Sequence, residues 1–250
     1  MILKTAIQQY LERHGYEQMS LKAVLFDMDG VLYDSMKNHT QAWYKTIQGL
    51  GITCTPEEFY MHEGRTGAGT IDILYRRMYG RPATEEEQQR IYRVKSENFN
   101  ALPEAQRMPG AYELLCQVKA AGLQPVLVTG SGQVSLIDRL NRSFPGIFDP
   151  RYMVTAFDVK FGKPHPEPYL MGLRKYGIRP NEAFVVENAP LGVEAGVAAG
   201  IFTVAVNTGP LPDQVLLDAG ADYLLPSMAQ LSDDFPAIVR AMQETKREKQ

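Results

Sequence analysis

Four short stretches of this 250-residue sequence place oxygen donors, hydroxyls or a fixed cation where apolar runs end. The first reads Val24-Leu25-Phe26-Asp27-Met28-Asp29-Gly30. Two carboxylates at i and i+2, leaving an apolar strand, project to the same side. Such a pair resists full ionisation unless a cation is near, and it can divide labour between nucleophile and general acid/base. Gly30 permits the sharp departure that follows. A polar strand end entering a turn would show the same residues. An EF-hand would not, because the downstream positions do not continue that loop and an apolar strand precedes it.

The second stretch, Val128-Thr129-Gly130-Ser131-Gly132, offers a hydroxyl and glycine-rich N–H groups suited to phosphate oxygens. Gly130-x-Gly132-x-x-Ser135 also mimics a dinucleotide fingerprint. It lacks the third glycine, and Asp149, between Phe148 and Pro150, has no strand to present it. The third is Phe161-Gly162-Lys163-Pro164-His165-Pro166. A lysine fixed between glycine and proline can neutralise a phosphoryl group as a point charge. A surface lysine in a turn is the plainer alternative, and His165 reads as a solvent-facing turn residue. The fourth, Val185-Val186-Glu187-Asn188-Ala189-Pro190, leaves a buried strand with a carboxylate and an amide, hard ligands for Mg²⁺. An Asx turn capping the helix expected to begin near Pro190 is the plainer alternative, and for Asn188 the two roles could coexist.

The elements that must position these residues are legible as apolar runs. Residues 23–26, 126–128, 152–154, 184–186, 202–206 and 223–225 are apolar without alternation and, from the second on, are spaced by helix-compatible stretches. That pattern predicts parallel strands buried on both faces, hence an α/β fold with right-handed crossovers. The interval from Asp34 to Gly122 breaks the rhythm. It holds helical patterns at Thr40–Leu50, Thr70–Tyr79 and Thr84–Phe99 but no convincing strand. One crossover helix does not need that length. The reading is a helical domain at 34–109 inserted into a sheet domain formed by 1–33 and 110–250, over the carboxyl ends of the strands where open α/β sheets bind ligands. Leu3, Ile7, Tyr10 and Leu11 predict a short amphipathic helix before the first strand.

Composition excludes several classes. A formal net charge of -3 provides no basic stripe for nucleic acid or anionic lipid. No segment approaches the roughly 18 apolar residues of a membrane span. Cys54 and Cys116 sit far apart, suggesting neither a zinc site nor a disulfide framework. Without a basic region and apolar run at the start, a cytoplasmic protein is expected. The charged tail Lys246-Arg247-Glu248-Lys249 is expected to fray.

In this order, the four stretches resemble the motifs of the haloacid dehalogenase superfamily of phosphotransferases, over residues 20–230. Asp27-x-Asp29 matches its first motif, Thr129 its second, Lys163 its third and Glu187-Asn188 its fourth. The resemblance implies a Rossmann-like core with an inserted helical cap and an aspartyl-phosphate route. Asp27 would attack phosphorus and Asp29 would serve as acid, then base. Mg²⁺ would lie on Asp27, the Asp29 carbonyl, Glu187 and Asn188. Asp34, His39 and Trp43 are similar to hinge and gating positions of the β-phosphoglucomutase-like branch. The runs Met61-His62-Glu63-Gly64-Arg65-Thr66-Gly67 and Glu187–Gly192 most resemble bacterial inorganic pyrophosphatases of that branch.

The mutases carry an arginine three residues after the cap glycine, where this chain has Gly67; Arg65 here directly follows Gly64. They also tend to carry a lysine after the serine/threonine motif, where this chain has Gly132 and Gln133, and many relatives have a second acid at Asn188. Substrate contacts are expected from Gly130, Ser131, His39, Arg65, Tyr92 and Lys95. Glu63 is a candidate to complete the metal site on closure, against a solvated loop position. Trp43 and Tyr92 suit packing within the helical domain, and Lys95 equally suits a solvated helix face. The expected partner is a small phosphorylated substrate, with pyrophosphate foremost and the protein a monomer. The alternatives are a β-phosphoglucomutase and a non-catalytic binding module, the latter opposed by the retention of both Asp27 and Asp29.

Overall fold

A computed structural model describes residues 2–132 and 136–247. Gln133, Ser135 and the tail beyond Arg247 lie outside the described residues. Five parallel strands form one sheet: β1 (Ala23–Phe26), β2 (Gln124–Leu127), β3 (Ala183–Glu187), β4 (Phe202–Val206) and β5 (Tyr223–Leu225), in the order β2-β1-β3-β4-β5. β1, β3 and β4 are buried throughout, as their unalternating apolar sequences require. Helices cover both faces, and two apolar clusters lie on opposite sides of β1: Val24 and Phe26 in one, Ala23 and Leu25 in the other. The first helix, α1 (Leu3–His14), buries Ala6, Ile7, Tyr10 and Leu11 against the larger cluster.

The register positions the chemistry. Phe26 pairs with Leu127 on one side and Val186 on the other. Asp27 therefore leaves β1 directly between Val128 and Glu187, and the sheet ladder extends to it through Asp27 N–H to the Val186 carbonyl at 3.1 Å.

Between β1 and α6 (Ala111–Ala120) come α2 (Met36–Gln48), α3 (Glu58–Met61), α4 (Gly67–Tyr79) and α5 (Glu85–Asn100). Thr84 and Glu87 form a reciprocal capping box that starts α5. These helices bury an apolar cluster of their own, including Trp43, Ile47, Phe59, Ile71, Leu74 and Ile91. Trp43 stacks on Phe59 with rings 8° from parallel, and it also lines the cavity between insertion and sheet body. The two linkers to the sheet body pair with each other. Tyr33 bridges Arg107, Asp34 N–H donates to the Gln106 carbonyl at 3.0 Å, and Met108 N–H to Leu32 at 2.9 Å.

The remaining helices are α7 (Leu136–Ser143), α8 (Glu167–Tyr176), α9 (Pro190–Ala198), α10 (Asp213–Asp218) and α11 (Met228–Glu244). Two expectations are corrected. Residues 152–154 form no sheet strand: Pro150–Tyr152 is a 3-10 turn capped by Asp149, leaving only a Val128–Val154 bridge. The tail is pinned where it is described, with Lys246 bridged to Gln18 and Arg247 N–H donating to the Glu17 carbonyl. Among the described residues, no helix is long and apolar enough to cross a membrane.

Candidate active site

Lys163 stands at the centre. It is buried, and its ammonium donates to Asp27 Oδ1, to Glu187 Oε1 at 2.7 Å and to the Val128 carbonyl at 3.2 Å. Tyr169 on α8 also donates to Glu187 Oε1, at 2.7 Å. Glu187 Oε2 accepts from the N–H groups of Asn188 and Ala189, at 3.0 and 3.3 Å. Both oxygens of Glu187 are thus occupied in fixing Lys163 and the turn after β3. Gly192 allows this, because a Cβ there would sit 1.8 Å from Glu187 Oε1.

One ammonium does not satisfy this site. Burial is the main force pushing the Asp27 carboxyl up, to about 8; Lys163 opposes it, while Glu187 and Asp29 add to it. Burial also works to lower Lys163, yet the two carboxylates overcome it and raise the lysine. The two shifts agree once the site is read as too negative for a single shared cation.

Asp29 differs. Burial disfavours its charge, but His39 and hydrogen bonds from His39 and Ser35 hold it well below the usual carboxylate range. Ser35 Oγ donates to Oδ1 at 2.6 Å, and His39 Nε2 lies 3.1 Å from the same oxygen. His39 is lowered by its own burial and by Lys95. A neutral His39 accepting from Lys95 Nζ at Nδ1, 2.8 Å away, still donates its Nε2–H to Asp29. Burial lowers Lys95 to about 8. Lys95 is 2% exposed, which removes the solvated-face alternative.

Glu63 is also buried rather than solvated. Asn188 Nδ2 donates to its Oε1 at 2.7 Å, across the junction of insertion and sheet body. Burial raises the Glu63 carboxyl well above its ordinary value; the Asn188 bond offsets part of this, and Asp27, Glu187 and Asp29 add to it. Asn188 makes no side-chain cap to α9, and its Oδ1 is buried without a partner among the described residues. Gly30, at φ 82°, admits this contact, since a Cβ there would lie 2.0 Å from Asn188 Nδ2.

A cavity of about 70 Å³ lies between the two bodies. Asp27, Asp29, Thr129, Gly130 and Ser131 line it from the sheet side, and His39, Glu63, Arg65, Tyr92 and Lys95 from the insertion. Thr129 Oγ1 accepts from Ser131 N–H at 3.0 Å, tightening the loop. The structure thus brings every one of these sequence-identified residues to one place, with Lys163, Glu187 and Asn188 just behind. His165 is exposed and outside that cavity. Ser35 and Tyr169 carry no distinguishing signal in the sequence. Ser35 follows Asp34 without a distinguishing pattern, and Tyr169 sits at an ordinary buried helix position. Four carboxylates against Lys163, Lys95 and Arg65, on a cavity with open oxygen donors, can support phosphoryl chemistry with a cation.

Residues 21–200 match the family described as haloacid dehalogenase-like hydrolase. Hexitol phosphatase A of Escherichia coli is 35% identical over 196 residues, covering 76% of this chain and 84% of that protein. Beta-phosphoglucomutase of Bacillus subtilis is 28% identical over 224 residues, covering 85% and 92%. A solved structure from Bacteroides vulgatus, provisionally named a beta-phosphoglucomutase, is 59% identical with a TM-score of 0.94, covering 97% and 98%. None of these three names mentions pyrophosphate.

Proposed function

Because the chain belongs to the haloacid dehalogenase-like hydrolases, we propose that it transfers a phosphoryl group from a small phosphorylated substrate to Asp27 and then to water. The supporting observation is that Asp27 and Asp29 face one cavity with opposite electrostatic settings. An Asp27 oxygen attacks phosphorus as the bond to the leaving oxygen breaks, giving an aspartyl-phosphate. Asp29 then takes a proton from water, whose oxygen attacks the same phosphorus and frees Asp27. Lys163, Thr129 and the 130–131 backbone steady the transferring oxygens. The insertion, residues 34–109, acts as a cap that excludes bulk water.

Magnesium fits the donor set. Asn188 Oδ1 is an orphaned buried acceptor, and the surrounding carboxylates exceed the cations. Among the described residues no ready-made cluster of three His, Cys, Asp or Glu exists, so the set relies on amide and carbonyl oxygens. Asp27, the Asp29 carbonyl, Asn188 and Glu63 would hold the ion; Glu187, expected among the ligands, instead braces Lys163 beside it, because Lys163, Tyr169 and the Asn188 and Ala189 N–H groups engage both its oxygens. Bound there, it would supply positive charge against the transferring phosphoryl oxygens.

For substrate, the leaving group decides. Asp29 is held as a carboxylate, a setting that favours base over acid. A phosphate leaving group needs less protonation than a sugar hydroxyl. A Cβ at Gly67 would lie 2.3 Å from the Tyr92 ring, so a side chain there has no room to grip a distal sugar phosphate. Both points support pyrophosphate. The relatives' names support a second reading, a sugar-phosphate phosphatase or a β-phosphoglucomutase.

The test compares phosphate release from pyrophosphate, glucose 6-phosphate and a hexitol phosphate with glucose 6-phosphate formation from β-glucose 1-phosphate. Pyrophosphate should lead and no isomer should form. A leading sugar phosphate, or isomerisation, would move the assignment to the second reading.

A further inference from the structure

Away from Asp27, a cavity of about 200 Å³ lies where α5 ends, walled by Phe99, residues 102–105 of the returning linker, and Arg139 and Arg142 of α7. Arg139 is the unusual wall. Its Cζ lies 3.9 Å from the centroid of the Tyr33 ring, and its side chain is 11% exposed. Its Nε and Nη2 are buried and have no hydrogen-bond partner among the described residues. Those two N–H groups share one edge of the guanidinium plane, the edge that grips two oxygens of a carboxylate or phosphate at once. Stacking on Tyr33 fixes the plane, so that edge is preset. A buried donor without an acceptor is costly, and a ligand's oxygens would relieve it.

Glu104 is the acid at the cavity wall, and the Arg139 charge also acts on Asp29. Its Oε1 lies 3.4 Å from Arg142 Nη2 and 3.9 Å from Arg139 Nε, the latter too long for a hydrogen bond, and its side chain is 63% exposed. Two guanidiniums thus face one solvated carboxylate.

We propose that Arg139 and Arg142 form a binding site for a small oxyanion, phosphate or carboxylate, at the junction of the two bodies. Arg139 stacks on the outgoing linker at Tyr33, and the returning linker lines the same cavity. An occupant fastens both linkers to α7. Its lining shares no residue with the cavity at Asp27, although the Arg139 charge also acts on Asp29 and His39.

The test follows the Nε–H magnetic resonance signal of Arg139, assigned by its loss in Arg139→Lys. The protein is titrated with sodium phosphate and, separately, sodium acetate, with sodium chloride at matched ionic strength as control. The site predicts a saturable shift with an oxyanion and none with chloride. The anion that saturates at lower concentration distinguishes phosphate from carboxylate. Arg142→Gln should raise the half-saturating concentration at least about fivefold, and Glu104→Gln should lower it. A signal that neither oxyanion moves overturns the proposal, and its displacement by Glu104→Gln would identify an internal pair instead. A shift that chloride reproduces is an ionic-strength effect and overturns it too.

Discussion

Asn188 Nδ2 donates a 2.7 Å hydrogen bond to Glu63 Oε1, joining buried side chains from the sheet body and the insertion. Glu63→Gln resembles the protonated carboxyl that burial favours without a cation, so the metal-free protein should keep its stability. The Mg²⁺ concentration for half-maximal rate should rise about tenfold, with a larger loss on pyrophosphate than on a sugar phosphate. Magnesium titrations of parent and variant that superimpose would remove Glu63 from the metal site.

Lys95, His39 and Asp29 form a chain in which each link sets the next. Lys95→Met should lower kcat/KM by roughly 10- to 100-fold. Protonated Lys95 keeps His39 Nδ1 an acceptor. Activity should therefore fall as pH rises through Lys95's value of about 8, and that limb should vanish in the variant. An unchanged pH–rate profile in Lys95→Met would mean the lysine is packing alone.

The strand ends were readable because β1 and β3 are buried on both faces, so their sequences are apolar until they meet the site. The same logic predicts a strand at 152–154, where Pro150 and the Asp149 cap instead set a turn that apolar content does not reveal. Lys95 and Glu63 were ambiguous from sequence because burial of a charge depends on which distant partner faces it, here His39 and Asn188. The orphaned edge of Arg139 has no sequence signature at all.

Gly192→Ala should displace Glu187, whose Oε1 would lie 1.8 Å from the new Cβ. Glu187 would lose Lys163 and Tyr169, a cost on the order of 3 kcal/mol for a broken buried pair, and kcat should fall at least about 100-fold. A variant with parental melting temperature and kcat would show that the Lys163–Glu187 bond is dispensable.

Raised carboxyls carry a stability signature. Asp27 folds with its value near 8 rather than 3.8, and Glu63 is raised as well. The stability each contributes is complete below its unfolded value and is lost as pH rises through its folded one. Asp29 is lowered, so its effect lies at lower pH. His39 and His62, also lowered, act mainly below about 6.5. Between about pH 6.5 and 8, chelator-treated Asp27→Asn should gain stability relative to the chelator-treated parent, and magnesium should erase the difference. Parallel melting curves across that window would contradict the charge excess.

Asp27 as the covalent acceptor is the central claim. The direct measurement is rapid acid quenching of a single turnover with radiolabelled pyrophosphate and, in parallel, labelled glucose 6-phosphate, followed by borohydride reduction and peptide mapping. The account predicts protein-bound label that borohydride releases, homoserine at position 27, and no label in Asp27→Asn, whose turnover should fall by about four orders of magnitude. Turnover without protein-bound label at any quench time, or label retained in Asp27→Asn, would contradict it.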